Sequence, residues 1–248
     1  MAVGSVIVIT SGKGGTGKTS LTGGVGASLA LLGKQVLCLD GDVGLRNLDI
    51  TLGMTDAALM DFSDVMAGRC DLSRAAVPHP TVSGLHLLTA PLTLPGDFPG
   101  EAGFQALLQQ AREAYDYVLI DSPAGLGPGF RLAVCGADRA IVVAVSDPSS
   151  LRDAQRVVTQ LSQLETIHLV VNRVRPRLLR RQNTTIDDAM DTAGLPLLGL
   201  VPEDPKVVLA ATEGRPLAQL GARRGAVRAY ENIARRLTGQ PVPLMGLR

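Results

Sequence analysis

Gly12-Lys13-Gly14-Gly15-Thr16-Gly17-Lys18-Thr19 is the stretch that decides the fold. It fits G-x-x-x-x-G-K-[ST]. It follows the β-branched run Ser5–Thr10 (SVIVIT) and opens a helical pattern, the strand-to-helix context that gives the motif meaning. Glycines at these positions let backbone N–H groups curl around phosphate oxygens with no Cβ in the way. The first helical turn adds free N–H donors and the positive end of the helix dipole. Lys18 supplies a cation for the β- and γ-phosphates, the Thr19 hydroxyl a ligand for Mg²⁺, and Ser20 a donor for the α-phosphate. The expected occupant is therefore a nucleoside triphosphate with its magnesium ion.

Outward from the loop, short apolar runs alternate with helical patterns. Strands are expected at 35–40 (QVLCLD), 85–89, 117–121 (YVLID), 140–145 (AIVVAV), 167–172 (IHLVVN) and 197–201. Helices are expected at 18–32, 103–114, 151–164, 185–193, 205–213 and 222–237, and 91–100 (PLTLPGDFPG) reads as a loop. Nearly continuous apolar strands joined by helical crossovers imply a doubly wound, mostly parallel α/β sheet buried on both faces by helices. We read residues 1–248 as a single P-loop domain, with 238–248 as a short non-helical tail.

Carboxylates fall where such a sheet binds ligands, beyond the carboxyl ends of the strands. Asp40 ends one strand, Asp42 follows in a glycine-rich turn, and Asp121 ends YVLID ahead of Ser122-Pro123-Ala124-Gly125. Asp121 suits direct or water-mediated Mg²⁺ binding. Asp40 suits support of that metal site from close by, and Asp42 the orientation of an attacking water. For each, a capping or turn aspartate is the competing reading.

The second lysine, Lys13, is not needed for phosphate binding alone. KGGxGK[ST] resembles the deviant Walker A ATPases of the MinD/ParA family. Within that family, Gly44-Leu45-Arg46-Asn47-Leu48-Asp49 is similar to the switch I region of the bacterial division-site branch, and Asp121–Gly125 (DSPAG) to its switch II. Asn172-Arg173 and Val201-Pro202-Glu203-Asp204 resemble its adenine-side segments. Ser149-Ser150-Leu151-Arg152-Asp153 resembles a segment near its partner-facing helix. The resemblance runs from residue 3 to about residue 243. It implies an ATPase using ATP and Mg²⁺, with Lys13 reaching across a homodimer to the partner's ATP. Lys13 and Asp42 are then catalytic, Gly12–Ser20 with Asn172 and Pro202 bind nucleotide, and Thr19, Asp40 and Asp121 serve the metal. It further implies a cell-division role in septum placement, a division inhibitor of the MinC kind as partner, and an activator of the MinE kind or another.

Two readings compete with it: a ParA-like DNA-partition ATPase and a regulator of flagellar number. A formal net charge of +1 argues against holding DNA through many phosphate contacts, so DNA binding is not expected. Cys38, Cys70 and Cys135 form no CxxC pair, which argues against an iron–sulfur carrier and suits a reducing compartment. No signal peptide and no membrane-spanning run are evident, so the chain is expected in the cytoplasm, with the inner face of the cell membrane as the alternative, peripheral site. The family's membrane contact uses a C-terminal amphipathic helix. Here 226–237 reads as a final helix packed on the sheet through Val227, Tyr230, Ile233 and Leu237. The five residues Leu244–Arg248 are too few for a second one, which leaves the membrane element missing or vestigial. The basic run Arg173–Arg181 reads as a solvated loop, with an acidic partner, a lipid headgroup or DNA as the alternatives.

Overall fold

Val6 and Val8 face one helical layer and Ile7 and Ile9 the other. The same alternation holds in Leu37 and Leu39 against Val36 and Cys38, and in Val118 and Ile120 against Leu119. A strand whose odd and even residues are both apolar must be covered twice, so these runs form the middle of a sheet and not an edge. The computed structural model describes residues 3–182, 185–220 and 224–246.

Eight strands form one sheet: β1 (Ser5–Thr10), β2 (Val36–Asp40), β3 (Val77–Pro78), β4 (Leu85–Leu88), β5 (Tyr117–Asp121), β6 (Arg139–Val145), β7 (Thr166–Val174) and β8 (Leu197–Pro202). Their order is β3-β4-β2-β5-β1-β6-β7-β8, and every pairing is parallel except β3 with β4. From β1 the chain first builds toward β2 and β4, returns to insert β5 beside β1, then builds the other way through β6, β7 and β8. That reversal around β1 makes a crevice at the carboxyl ends of the central strands.

The helices are α1 (Lys18–Leu31), α2 (Leu48–Leu52), α3 (Phe62–Met66), α4 (Leu72–Ala75), α5 (Gly100–Ala114), α6 (Pro128–Val134), α7 (Pro148–Thr159), α8 (Pro176–Gln182), α9 (Ile186–Ala193), α10 (Pro205–Thr212) and α11 (Ala226–Leu237). Helices α1, α2, α10 and α11 contribute to one apolar layer, and α3 through α9 to the other. Helix α1 is buried along nearly its whole length. A Cβ on Gly24 would collide with the Tyr230 ring, and one on Gly26 with the Cys38 sulfur. Glycine is what lets α1 seat this deeply against α11 and β2.

All seven expected strands are present; the two-residue antiparallel edge β3 carries no apolar pattern long enough to announce itself. Three expectations need correction. The helix expected at 151–164 runs Pro148–Thr159, because Asp147 caps it by accepting from Ser150 N at 2.9 Å and Pro148 occupies its first turn. The helix expected from 103 begins at Gly100. The basic run expected as a loop is largely helix α8, opened by Pro176. The start proposed for the final helix at Ala222 lies outside the described residues, and α11 is helical from Ala226.

Tyr230, Ile233 and Leu237 of α11 are buried against the sheet, as their spacing implied. Beyond it, Gln240–Gly246 carries no regular secondary structure, and Leu247 and Arg248 lie outside the described residues. Arg236 pins this segment: its guanidinium donates to the carbonyls of Leu198 (2.6 Å), Val242 (2.9 Å) and Pro243 (2.9 Å). Among the described residues no helix is long and apolar enough to cross a membrane.

Candidate nucleotide site

The loop Gly12–Gly17 leaves β1 at the centre of the sheet and enters α1 with Gly17 in the left-handed region (φ 91°). A side chain there would also strike the Asn172 amide, so glycine is required twice over. Ser11 organises the base of the loop. Its hydroxyl donates to the Lys13 carbonyl at 2.7 Å and accepts from Lys18 Nζ at 3.1 Å. Lys18 is buried, and burial lowers its pKa against the opposing pull of Asp121 and Asp42. Around Gly14 and Gly15 there is open space: the first neighbour of a Cβ on Gly14 would be Ala124 at 4.0 Å, and one on Gly15 would have none within 4 Å.

Strands β2 and β5 bring the carboxylates together, with Asp40 in register with Asp121. Both are buried. Asp121 receives hydrogen bonds from the hydroxyls of Thr19 and of Thr22, the latter at 3.4 Å. Burial still dominates, and with the nearby Asp40 charge it pushes the Asp121 carboxyl up to about 7. Asp40 accepts from Asp42 N at 2.9 Å and Leu48 N at 3.0 Å, which folds the intervening turn back over the strand end; burial pushes it to about 6. Asp42 is half-buried, and burial raises its pKa while the Lys18 charge opposes the rise. The DSPAG stretch is tied to the loop by Gly125 N donating to Ser11 O at 3.4 Å and by Ser122 N donating to Ile9 O at 3.1 Å.

On the other side of the loop lies a cavity of ≈ 440 Å³, lined among others by Gly17, Ser20, Asn172, Pro202, Asp204 and Tyr230. The Asn172 amide donates to the Thr16 carbonyl at 2.7 Å and its Oδ1 accepts from Arg173 N at 2.9 Å. One N–H and one lone pair remain for a ligand. Arg173 itself has φ 50°, unusual for a residue with a side chain. A wider cavity of ≈ 750 Å³, lined by Arg175, Arg177 and Arg181, adjoins this one through Glu203 but contains no residue of the phosphate loop.

These residues fit Mg²⁺ with a nucleotide. Buried carboxylates held near neutrality are the sites where a cation gives most, and a loop with open space above its glycines can admit phosphate. No group of three or more His, Cys, Asp or Glu among the described residues could hold a metal by itself. That agrees with Mg²⁺, which takes one or two protein ligands and completes its shell with water and phosphate oxygens.

Every residue expected at the site therefore sits at this edge of the sheet: Gly12–Ser20, Asp40, Asp42, Asp121, Asn172 and Pro202. Reading the sequence overlooked Ser11, Thr22 and Tyr230. Thr22 had a signal, being one helical turn beyond Lys18 on the same face. Ser11 and Tyr230 had none in their own surroundings.

Fold and site together define a P-loop nucleotide-binding protein. Residues 7–217 match the family described as the CobQ/CobB/MinD/ParA nucleotide binding domain. The chain is 41% identical to the septum site-determining protein MinD of Bacillus subtilis, over 99% of this chain and 93% of that protein. It superposes on a chain of the MinC:MinD cell division protein complex of Aquifex aeolicus with a TM-score of 0.90 at 38% identity, covering 98% of both chains. For the septum site-determining protein MinD of Pyrococcus horikoshii complexed with Mg-ADP, the TM-score is 0.82 at 28% identity, over 94% of this chain and 95% of that one. The chain belongs to the CobQ/CobB/MinD/ParA nucleotide-binding family, in its MinD branch.

Proposed function

We propose that this protein hydrolyses ATP with Mg²⁺, that ATP binding joins two copies into a homodimer, and that the dimer acts in placing the bacterial division septum by recruiting a division inhibitor. The observation that carries this reading is the pairing of two lysines, Lys13 and Lys18, on one glycine cradle that faces Asp42 and Asp121. Its similarity to the Bacillus and Aquifex proteins supports the division role, and the Aquifex complex supports a MinC-like partner. The Mg-ADP complexed with the Pyrococcus protein supports Mg²⁺ as the ion.

In this reading the loop amides and Lys18 hold the β- and γ-phosphates. Thr19 and Asp121 hold Mg²⁺, with Asp40 keeping the Asp42 turn and the strand end in place. Bound there, the ion would supply positive charge against the phosphate oxygens. Asp42 orients the attacking water and accepts its proton as the water oxygen bonds to the γ-phosphorus and the bond to the β–γ bridging oxygen breaks, with ADP as the leaving group. Lys13 extends to the partner's phosphates and neutralises charge that develops during transfer, completing each site only when two copies meet. Asn172 and Pro202 receive the base. Turnover by the protein alone is slow, because the switch waits for an activator of the MinE kind or another protein.

Lys13→Ala and Asp42→Ala test the assignment. Steady-state ATPase activity should fall about 10³–10⁵-fold in Lys13→Ala, the scale of a charge delivered in trans, and about 10²–10⁴-fold in Asp42→Ala, the scale of a positioned base. Nucleotide affinity should stay within a few-fold. Light scattering should show Lys13→Ala remaining monomeric with ATP. Wild-type rates in both variants would mean the roles are wrong.

A further inference from the structure

Three guanidiniums, on Arg175, Arg177 and Arg181, line the ≈ 750 Å³ cavity beyond the nucleotide pocket, and Glu203 is the one carboxylate among its lining residues. Val174, Pro176 and Leu178 supply its apolar lining. Arg177 and Arg181 stand four apart on α8, on one face of the helix, where like charges repel each other. Leu179 is buried in the core layer and fixes α8 in that orientation. Among the described residues neither Arg177 nor Arg181 has an ion-pair partner. Glu203 is already engaged. Arg175 Nη2 donates to one of its oxygens at 2.6 Å and Arg175 Nε to the other, which holds the Glu203 carboxyl below the usual carboxylate range. Arg175 keeps further N–H donors, those on Nη1 among them, for a ligand.

Three guanidiniums and one ionised carboxylate leave the cavity with two positive charges, the complement of a phosphate monoester dianion. Guanidinium forks match phosphate oxygens in pairs. A long polyanion is a poorer match: the whole chain carries a formal charge of only +1, and α9, next along the chain, exposes Asp187, Asp188 and Asp191. We infer that this cavity binds a small organic phosphate monoester. Arg175, Arg177 and Arg181 hold its phosphoryl group, and Val174, Pro176 and Leu178 receive its apolar body. No residue of the phosphate loop lines the cavity, so the site is additional to the ATPase reading and does not depend on it.

The arginines are exposed, so each contributes a modest factor. A solvent-exposed charged contact shifts an equilibrium by roughly two- to five-fold. Arg177→Gln combined with Arg181→Gln should therefore weaken the monoester by roughly four- to twenty-five-fold, the square of that factor. Glu203→Gln should act in the opposite direction and tighten it by roughly two- to five-fold, because it removes the charge that repels the dianion and engages Arg175. Damage to the fold cannot tighten binding, so the opposite signs separate electrostatics from misfolding.

The experiment has two arms. In the first, phenyl phosphate is titrated by calorimetry at about pH 8, where its phosphate is a dianion. The protein is saturated with Mg-ADP, which keeps the probe off the phosphate loop. Mg-ADP affinity itself should be the same in wild type and in the double arginine variant, and serves as the check on folding. In the second arm, vesicles of phosphatidylcholine with phosphatidic acid present the same monoester on a lipid, and binding is read by co-sedimentation. The inference expects phenyl phosphate to bind wild type, more weakly the double variant and more tightly Glu203→Gln, with vesicle pelleting the same in wild type and double variant. No heat from phenyl phosphate, equal binding by the double variant, or weaker binding by Glu203→Gln overturns it. Vesicle pelleting that the double variant loses, with no binding of phenyl phosphate, overturns it in favour of a lipid surface. A wild type that takes up no Mg-ADP sinks the nucleotide reading instead, while the double variant still decides whether phenyl phosphate sits at these arginines.

Discussion

Four aspartates flank the central strands, two at each edge of the sheet, and the two edges use them in opposite ways. At the amino edge, Asp116 precedes β5 and accepts from Gln35 N at 2.8 Å, and Asp138 precedes β6 and accepts from Val6 N at 2.8 Å. Asp138 is also paired with Arg112 at 3.1 Å. Each closes the start of a neighbouring strand. At the carboxyl edge, Asp121 and Asp40 end their strands, are buried side by side, and are pushed by that burial toward neutrality. Two threonine hydroxyls there, on Thr10 and Thr16, are buried with no hydrogen-bond partner among the described residues. The same residue type is architecture below and stored tension above. Backbone donors reach carboxylates at both edges. The difference is that Asp116 is exposed and Asp138 is paired with Arg112, whereas Asp40 and Asp121 are buried beside each other and a desolvated lysine.

That contrast can be broken most sharply at Asp121. Asp121→Asn should cut Mg²⁺-dependent hydrolysis by about 10²–10³-fold, as loss of a preorganised group does. In the same variant the nucleotide-free fold should become more stable at pH 8, by roughly 1–3 kcal/mol, since one strained charge is gone and part of that gain is offset by Lys18 losing a partner. The pH dependence fixes the sign. An acid raised from 3.8 unfolded to about 7 folded binds its proton more tightly in the native state. Its favourable contribution is therefore full below about 4 and lost as pH rises toward 7. Urea unfolding of the wild type without Mg²⁺ should show stability falling across that window, and Asp121→Asn should flatten the slope. An equally steep slope in the variant would place the strain elsewhere.

At the opposite edge, Asp138→Asn should do the reverse. It should destabilise the fold by about 1–3 kcal/mol at pH 7, because Arg112 is left partly buried with its main partner weakened. Nucleotide affinity should change less than two-fold. A large loss of nucleotide binding with unchanged stability would erase the distinction between the edges. The smallest expected effect is back at the carboxyl edge: Asn172→Ala removes the donor that holds the Thr16 carbonyl, and nucleotide affinity by calorimetry should weaken about 3–10-fold, the value of one or so hydrogen bonds.

What was legible in the sequence follows from range. SVIVIT, YVLID and AIVVAV announce themselves because a doubly covered strand is apolar at every position. The glycine-rich loop announces itself because its spacing is local. Helices of four or five residues such as α2, α3 and α4 are too short for a helical period to show. The early start of α7 was legible in Asp147-Pro148, a cap followed by a favoured first-turn proline, and was passed over. The contacts that finish the site were not legible at all. Asn172 meets Thr16 across 156 positions and Lys13 meets Ser149 across 136. Both depend on β1 lying between β5 and β6, an order the chain reaches only by doubling back.

Helix α1 is glycine-lined where it meets Tyr230 and Cys38, and it is wedged there closely enough that a single added Cβ would collide with either. The phosphate loop is the leading end of that wedge. In the ATPase cycle proposed above, α1 is the anvil, and the parts expected to travel are the turn after Asp40, the stretch after Asp121 and the lysine arm, each tied to its surroundings by a few polar links.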